Sequence, residues 1–260
     1  MRYRSTTLNL PQLKKHWEAF GKQDAFWGVL TWDSKQKGAW EKEDFYECGR
    51  REIREMVAHL QACGKRTAFQ KALDFGCGAG RLTQALAEFS REAHGVDISS
   101  SMLDVANQNN QFKGRVHFHL NTEDNLALFE TSAFDLIYTN IVLQHMPPDF
   151  AKRYIREFAR LLAPGGLLVF QVPDRRIPRQ SAGVKEFILD IVPAPLLDFY
   201  RDCKLKFLNK PVMQIFGIEI QDVKNLLAEE GLLLFDAQEN QEAGPGWTSF
   251  RYFCERPVTR

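Results

Sequence analysis

The run Leu73-Asp74-Phe75-Gly76-Cys77-Gly78-Ala79-Gly80 sets a carboxylate just ahead of glycines at alternate positions. Such glycines let the backbone turn tightly and approach a ligand without side chains in the way. A carboxylate beside that turn repels a pyrophosphate and favours a cationic ligand, while free N–H groups at the start of the next helix can hold a ligand carboxylate. The dinucleotide fingerprint G-x-G-x-x-G would need glycine at 81, where the chain has Arg81. Asp97 follows the next strand, a position that serves a nucleoside ribose without choosing the cofactor. His145 titrates near neutrality in its reference state, so two readings stand: a general base, or a ring that packs locally to shape a pocket. Arg50 either reaches a ligand carboxylate through a charge-assisted bond or stays on the surface. Cys77 reads as a small side chain that fits the turn. His117 and His119 share one strand face, but no further ligand is spaced to complete a metal site, so they read as packing residues and no metal centre is expected. Arg175, Arg176 and Arg179 form a basic cluster that is either a solvated face or a contact for an acidic substrate.

The elements that must position these residues alternate between short apolar strands and helices. Strands are expected over 68–74, 93–97, 116–120, 134–140 and 167–172. A helix carrying Leu82, Ala85, Leu86 and Phe89 follows the glycine turn. Ser99 caps another with Met102, Leu103 and Ala106, and Pro147-Pro148-Asp149 opens a third that ends at Ala163-Pro164-Gly165-Gly166. Alternation of this kind predicts a parallel sheet covered on both faces, with ligands at the carboxyl ends of the strands. Upstream, residues 50–63 carry Ile53, Met56, Val57 and Leu60 at helical spacing, closed by Gly64. The first 66 residues are rich in aromatics, and Trp27, Trp32, Trp40 and Phe45 are too many for a fully exposed loop. Residues 174–216 read as a helical, cap-like insertion with apolar stretches at 187–192 and 196–200. A helix over 222–230 and strands over 232–236 and 247–254 close the chain. The expected organisation is therefore an N-terminal helical lid segment, 1–66, followed by a ligand-binding domain, 67–260.

Composition narrows the function classes. The chain has 260 residues, 44% of them hydrophobic and 26% charged, and a net charge of +1. Those values exclude a disordered or collagen-like chain, and near-neutrality argues against a nucleic-acid partner. The cysteines at 48, 63, 77, 203 and 254 form no C-x-x-C pair and point to a reducing compartment. No secretory leader and no apolar run long enough to span a membrane is read, so a cytoplasmic protein without a membrane partner is expected.

The segment from 73 to 80 resembles motif I of the class I S-adenosylmethionine-dependent methyltransferases (type 11/25-like). Further signals occur in the family's order. Gly95-Val96-Asp97-Ile98-Ser99-Ser100-Ser101-Met102 is similar to the end of strand two. Asn121-Thr122-Glu123-Asp124 is similar to the loop that reads the adenine edge, with Asn121 where family members often have Asp. The run 134–146 resembles strand four and its loop, including Asn140, and 161–169 resembles the turn into strand five. The resemblance covers residues 67–173 in detail. It implies a Rossmann-like, doubly wound, seven-stranded and mainly parallel α/β sheet whose last strand is antiparallel. It implies a site for S-adenosylmethionine, with S-adenosylhomocysteine as product. Cofactor contacts are implied at Asp74, Gly76, Cys77, Gly78, Gly80, Asn121, Thr122, Glu123 and Asn140. Asp97 would hold the ribose hydroxyls, Ile98 and Met102 would pack on adenine, and Arg50 is the candidate for the methionine carboxylate. The acceptor is expected to be a small molecule, since the Asn/Asp-Pro-Pro-Tyr run of DNA amino-methylating enzymes is replaced by Thr139-Asn140-Ile141-Val142. The alternatives are a nucleoside-binding protein without transfer activity and, against Asp74 and Arg81, a nicotinamide-dependent oxidoreductase.

Overall fold

Ala72, Leu136, Leu167 and Val169 are buried on one side of a central sheet, and Leu73, Ile137, Leu168 and Phe170 on the other. Neighbouring residues in the same strands therefore feed two separate cores, which is why these strands read as continuous apolar runs. In the computed structural model, residues 9–177, 194–208 and 210–258 are described. The strands are β1 (Phe69–Phe75), β2 (Ser90–Asp97), β3 (Val116–Leu120), β4 (Phe134–Thr139), β5 (Leu162–Arg176), β6 (Leu233–Asn240) and β7 (Trp247–Glu255). They form one seven-stranded sheet in the order β3-β2-β1-β4-β5-β7-β6. The first five run parallel to one another, and β7 runs antiparallel between β5 and β6. The order reverses between β1 and β4, leaving a crevice at their carboxyl ends.

The helices are α1 (Leu10–Val29), α2 (Lys42–Ala62), α3 (Arg81–Leu86), α4 (Ser100–Gln108), α5 (Pro148–Leu161), α6 (Ala194–Leu208) and α7 (Ile220–Glu229). α2 lays Ile53, Met56, Val57 and Leu60 over one sheet face beside Leu82 and Leu86 of α3. Each such side chain contributes roughly 1.5–3 kcal/mol by leaving water. Close contact between α2 and α3 depends on Gly49, where an added Cβ would lie 2.6 Å from the Arg81 carbonyl oxygen. Tyr154 and Phe158 of α5, with Val223 and Leu226 of α7, cover the opposite face.

The N-terminal segment is built onto this frame. The Glu18 carboxylate of α1 accepts from the backbone N–H groups of Ser100 (2.6 Å) and Ser101 (3.3 Å), at the start of α4. Burial raises the Glu18 carboxyl pKa, but the hydrogen bonds from Ser100 and Ser101 hold it below its usual value. α1 breaks at Asp24, which leaves helical geometry and accepts from Trp27 N–H (3.2 Å) and Gly38 N–H (2.7 Å). Trp40, Phe45 and Tyr46 are buried as the aromatic count requires, whereas Trp32 is 48% exposed.

Several boundaries differ from the sequence reading. α2 begins at Lys42 because Phe45, Tyr46 and Gly49 also turn inward. α3 ends at Leu86, and Phe89 packs on the same core from the turn that follows. β5 extends to Arg176 because its ladder with β7 continues to Trp247. Of the expected insertion, α6 is present, with Leu196, Phe199 and Tyr200 exposed. Residues 178–193, including the 187–192 stretch and Arg179, lie outside the described residues.

Candidate active site

The carboxyl end of β2 delivers Asp97 to the crevice. One oxygen of its carboxylate accepts from Ser99 N–H (2.9 Å) and the other from Gly78 N–H (2.8 Å). These bonds fix the carboxylate while leaving lone pairs for two further donors, the number a ribose diol offers. Burial raises the Asp97 carboxyl pKa, and the backbone N–H donors oppose that rise. Ser99 caps α4, accepting from Met102 N–H (3.3 Å). Ile98 and Met102 consequently line the crevice beside Asp97, as does Asn121 from the end of β3. The Asn121 amide donates to the Asn125 carbonyl (2.8 Å), which holds the loop closed.

Gly76, Cys77 and Gly78 form the floor. Gly78 has φ of 51°, and a Cβ there would stand 2.6 Å from the Val29 side chain at the end of α1. Four amides of the bend are bonded within the protein. Gly76 N–H and Cys77 N–H both donate to the Val96 carbonyl (2.8 and 3.1 Å), Gly80 N–H donates to the Cys77 carbonyl (2.9 Å), and Gly78 N–H is held by Asp97. The bend is therefore no nest for a pyrophosphate, which strengthens the case against a dinucleotide.

Other sequence-predicted residues lie elsewhere. Asp74 is fully enclosed and accepts from the Thr83 hydroxyl (2.6 Å), tying β1 to α3 from beneath the bend. Burial pushes its carboxyl up to about 7. Gly80 packs against Phe118, away from the crevice wall. Thr122 and Glu123 are exposed and do not line the cavity. Arg50 is turned to Glu47 (2.6 Å) and Glu43 on its own helix, and the neighbouring Arg51 and Glu52 line the crevice instead. Cys77 is buried, which raises its thiol pKa well above the ordinary range and suits a packing role. His117 and His119 stack beside His94, with His94 Nδ1 and His119 Nε2 2.9 Å apart.

Asn140 follows β4 and lines the cavity. Its amide donates to Glu52 (2.7 Å) and Glu242 (3.0 Å), while its Oδ1 is buried without a partner. A buried acceptor without a partner, on a residue that lines the cavity, is where a ligand donor would be satisfied. Glu52 also takes the Tyr138 hydroxyl (2.8 Å) and the buried Arg81 guanidinium (2.7 Å). Burial raises the Glu52 carboxyl pKa, yet the Arg81 and Arg251 charges carry it below its usual value.

His145 sits in a short turn after β4, at the cavity wall. Its Nδ1 lies 2.7 Å from the Gln214 carbonyl oxygen, so Nδ1 carries the proton. Nε2 accepts from the Gln144 amide (3.2 Å), and burial pulls the imidazole pKa down to about 4. Gln171 underlies this turn. Its Oε1 accepts from Ile141 N–H (3.2 Å), and its Nε2 donates to Gln144 Oε1 (3.2 Å). Ile141 is held at φ of 54°, a costly conformation for a β-branched residue and one that such a brace sustains. Trp17 of α1 meets the His145 ring edge-on at 5.3 Å. Gln144, Gln171, Glu52, Arg81 and Trp17 carry no local sequence signal, since each matters only through a partner distant in the chain.

The cavity has a volume of about 1450 Å³ and runs from Asp97 and the glycine bend to Trp17 and His145. Its lining joins the Asp97 carboxylate, the apolar Ile98 and Met102, and Asn140, whose Oδ1 has no partner, a set compatible with a cationic, phosphate-free nucleoside. Residues 72–166 match the family model described as a methyltransferase domain. A ubiquinone biosynthesis O-methyltransferase of Coxiella burnetii is 28% identical over 163 residues, covering 59% of this chain and 68% of that protein. Its counterpart in Idiomarina loihiensis is 31% identical over 127 residues, and the match spans 48% of this chain and 51% of that one. Among solved structures, magnesium protoporphyrin IX methyltransferase from Synechocystis with bound S-adenosylhomocysteine has a TM-score of 0.62 at 18% identity. That alignment covers 95% of this chain and 100% of the other. Residues 72–166 thus match a methyltransferase domain, on a fold shared with enzymes crystallised with S-adenosylmethionine and S-adenosylhomocysteine.

Proposed function

We propose that the acceptor is a small, largely apolar molecule methylated on oxygen, with S-adenosylhomocysteine released. The observation that carries this reading is a cavity of about 1450 Å³ at the carboxyl ends of the strands. Pockets for one small ligand occupy about 300–1,000 Å³, so this one has room for both reactants. When bound, the cofactor supplies a methyl group activated by its sulfonium. The chain's own residues then align the acceptor, exclude water and manage one proton. Asp97 holds the ribose hydroxyls, Ile98 and Met102 flank adenine, Asn121 meets its edge, and Asn140 Oδ1 receives the ammonium. Arg51 supplies the cation for the methionine carboxylate. Alignment of this kind can lower a barrier by about 7–11 kcal/mol.

Trp17, Phe20 and Trp27 of α1 line the cavity, so residues 9–66 act as a lid over the acceptor. An acceptor hydroxyl that displaces the Gln144 amide finds an uncharged His145 Nε2. His145 Nε2 would receive the hydroxyl proton as the acceptor oxygen takes the methyl group that the bound cofactor would supply. All five cysteines are free, in keeping with a reducing cytoplasm. No helix among the described residues is long and apolar enough to cross a membrane. The test is methyl-labelled S-adenosylmethionine offered with a panel of phenols, amines and thiols. Label recovered in methyl ethers supports the reading; label confined to amines or thiols, or none across the panel, overturns it.

A further inference from the structure

On the far side of α2, a second constellation lies outside the reaction machinery. His59 and Cys63 are one helical turn apart at the end of α2, and Asp236 reaches them from β6. Asp236 Oδ2 lies 2.8 Å from His59 Nε2, and Cys63 Sγ lies 3.4 Å from that same nitrogen. All three ligand atoms fall within 4.8 Å of one another. An Nε2–H can serve only one of these acceptors, so convergence of a thiol and a carboxylate on one imidazole nitrogen is more than a hydrogen bond requires. We propose that His59, Cys63 and Asp236 bind a zinc-type divalent cation that clamps the end of α2 to the sheet-edge strand β6.

The geometry favours this metal class. With zinc–nitrogen bonds of about 2.0 Å and zinc–sulfur bonds of about 2.3 Å, the edges of a tetrahedral site are roughly 3.3–3.6 Å. The Cys63–His59 edge already has that length, and the Asp236 side chain needs to retreat by only a few tenths of an ångström. Thiolate with imidazole selects zinc or cobalt over magnesium or calcium. Thiolate and carboxylate together neutralise the ion's charge, and the fourth position opens to water beside the exposed Cys63. The supporting groups are also in place. Asp236 Oδ1 is anchored by Ala237 N–H (2.8 Å), and Oδ2, which also accepts from the Gln238 amide (3.1 Å), faces His59 as the ligand atom. The His59 ring lies on Phe253 with centroids 4.5 Å apart. The Gln238 amide stands 3.1 Å from His59 Nδ1. The same amide nitrogen lies 3.2 Å from His59 Nε2 and donates to Asp236 Oδ2 (3.1 Å), so it ties the imidazole and the carboxylate together.

The test is titration of the reduced, chelator-treated full chain with cobalt(II). A sulfur-to-cobalt charge-transfer band and strong visible bands of four-coordinate cobalt are expected. Cys63→Ser should abolish the charge-transfer band, and His59→Gln and Asp236→Asn should each weaken binding about tenfold or more. Zinc should raise the melting temperature of the wild type and leave that of Cys63→Ser unchanged, while both bind S-adenosylhomocysteine equally. Absence of the band in the wild type, or an equal band in Cys63→Ser, overturns the proposal and leaves the assignment of the crevice intact.

Discussion

At the scale of single residues, His145 and Asp74 make opposite claims about pH. His145 is buried uncharged, with its pKa lowered from 6.5 to about 4. The unfolded chain therefore binds its proton more readily, and the stability it contributes is complete above about pH 6.5 and lost as pH falls towards 4. His145→Gln should flatten that acid limb of a melting-temperature profile; an unchanged limb would contradict the burial assigned to the ring. If His145 also takes the acceptor proton, the same variant should lower kcat far more than it raises KM. Asp74 is shifted the other way, from 3.8 to about 7. Its contribution is complete below about pH 3.8 and lost as pH rises through 7. Asp74→Asn preserves an acceptor for the Thr83 hydroxyl, so relative to wild type it should gain stability between pH 5 and pH 8. A gain in the opposite sense would show that Asp74 is held charged.

At the scale of elements, the site depends on how α1 and α2 meet the sheet. Glu18 links α1 to the start of α4, which carries Met102. Glu18→Ala should cost about 1–2 kcal/mol of stability and weaken S-adenosylhomocysteine binding; normal binding by calorimetry would free α1 from any part in the site. Gly78→Ala combines a positive φ with a clash against Val29, so it should loosen α1 and raise the protease sensitivity of the first 40 residues. These contacts mark the limit of what the sequence made legible. The glycine bend, Asp97, Ile98, Met102, Asn121 and Asn140 could be placed because each sits within a few residues of a strand end. Arg50 turns to Glu43 and Glu47, since each helical residue turns the side chain by about 100° and α2 presents Arg51, Glu52 and Glu55 to the cavity. Thr122 and Glu123 turn outward because Asn121 closes the loop through its own side chain. The Glu52–Arg81–Tyr138–Asn140 cluster joins α2, α3 and β4, and no local pattern announces such a meeting.

At the scale of the whole molecule, a doubly wound sheet opens one large cavity at its switch point and an aromatic N-terminal segment roofs it. Charge follows the same plan. Near-neutral overall, the chain gathers buried carboxylates around the bend and leaves the loop amides bonded within the protein, an environment hostile to phosphate and suited to a cation. The most direct measurement is isothermal calorimetry of S-adenosylhomocysteine against the wild type and Asp97→Ala, with NAD as the control. One molecule should bind per chain, affinity should fall about tenfold or more when the two ribose bonds to Asp97 are removed, and NAD should give no heat. Equal affinity in both proteins, or binding of NAD in preference, would contradict the placement of the nucleoside on which the account rests.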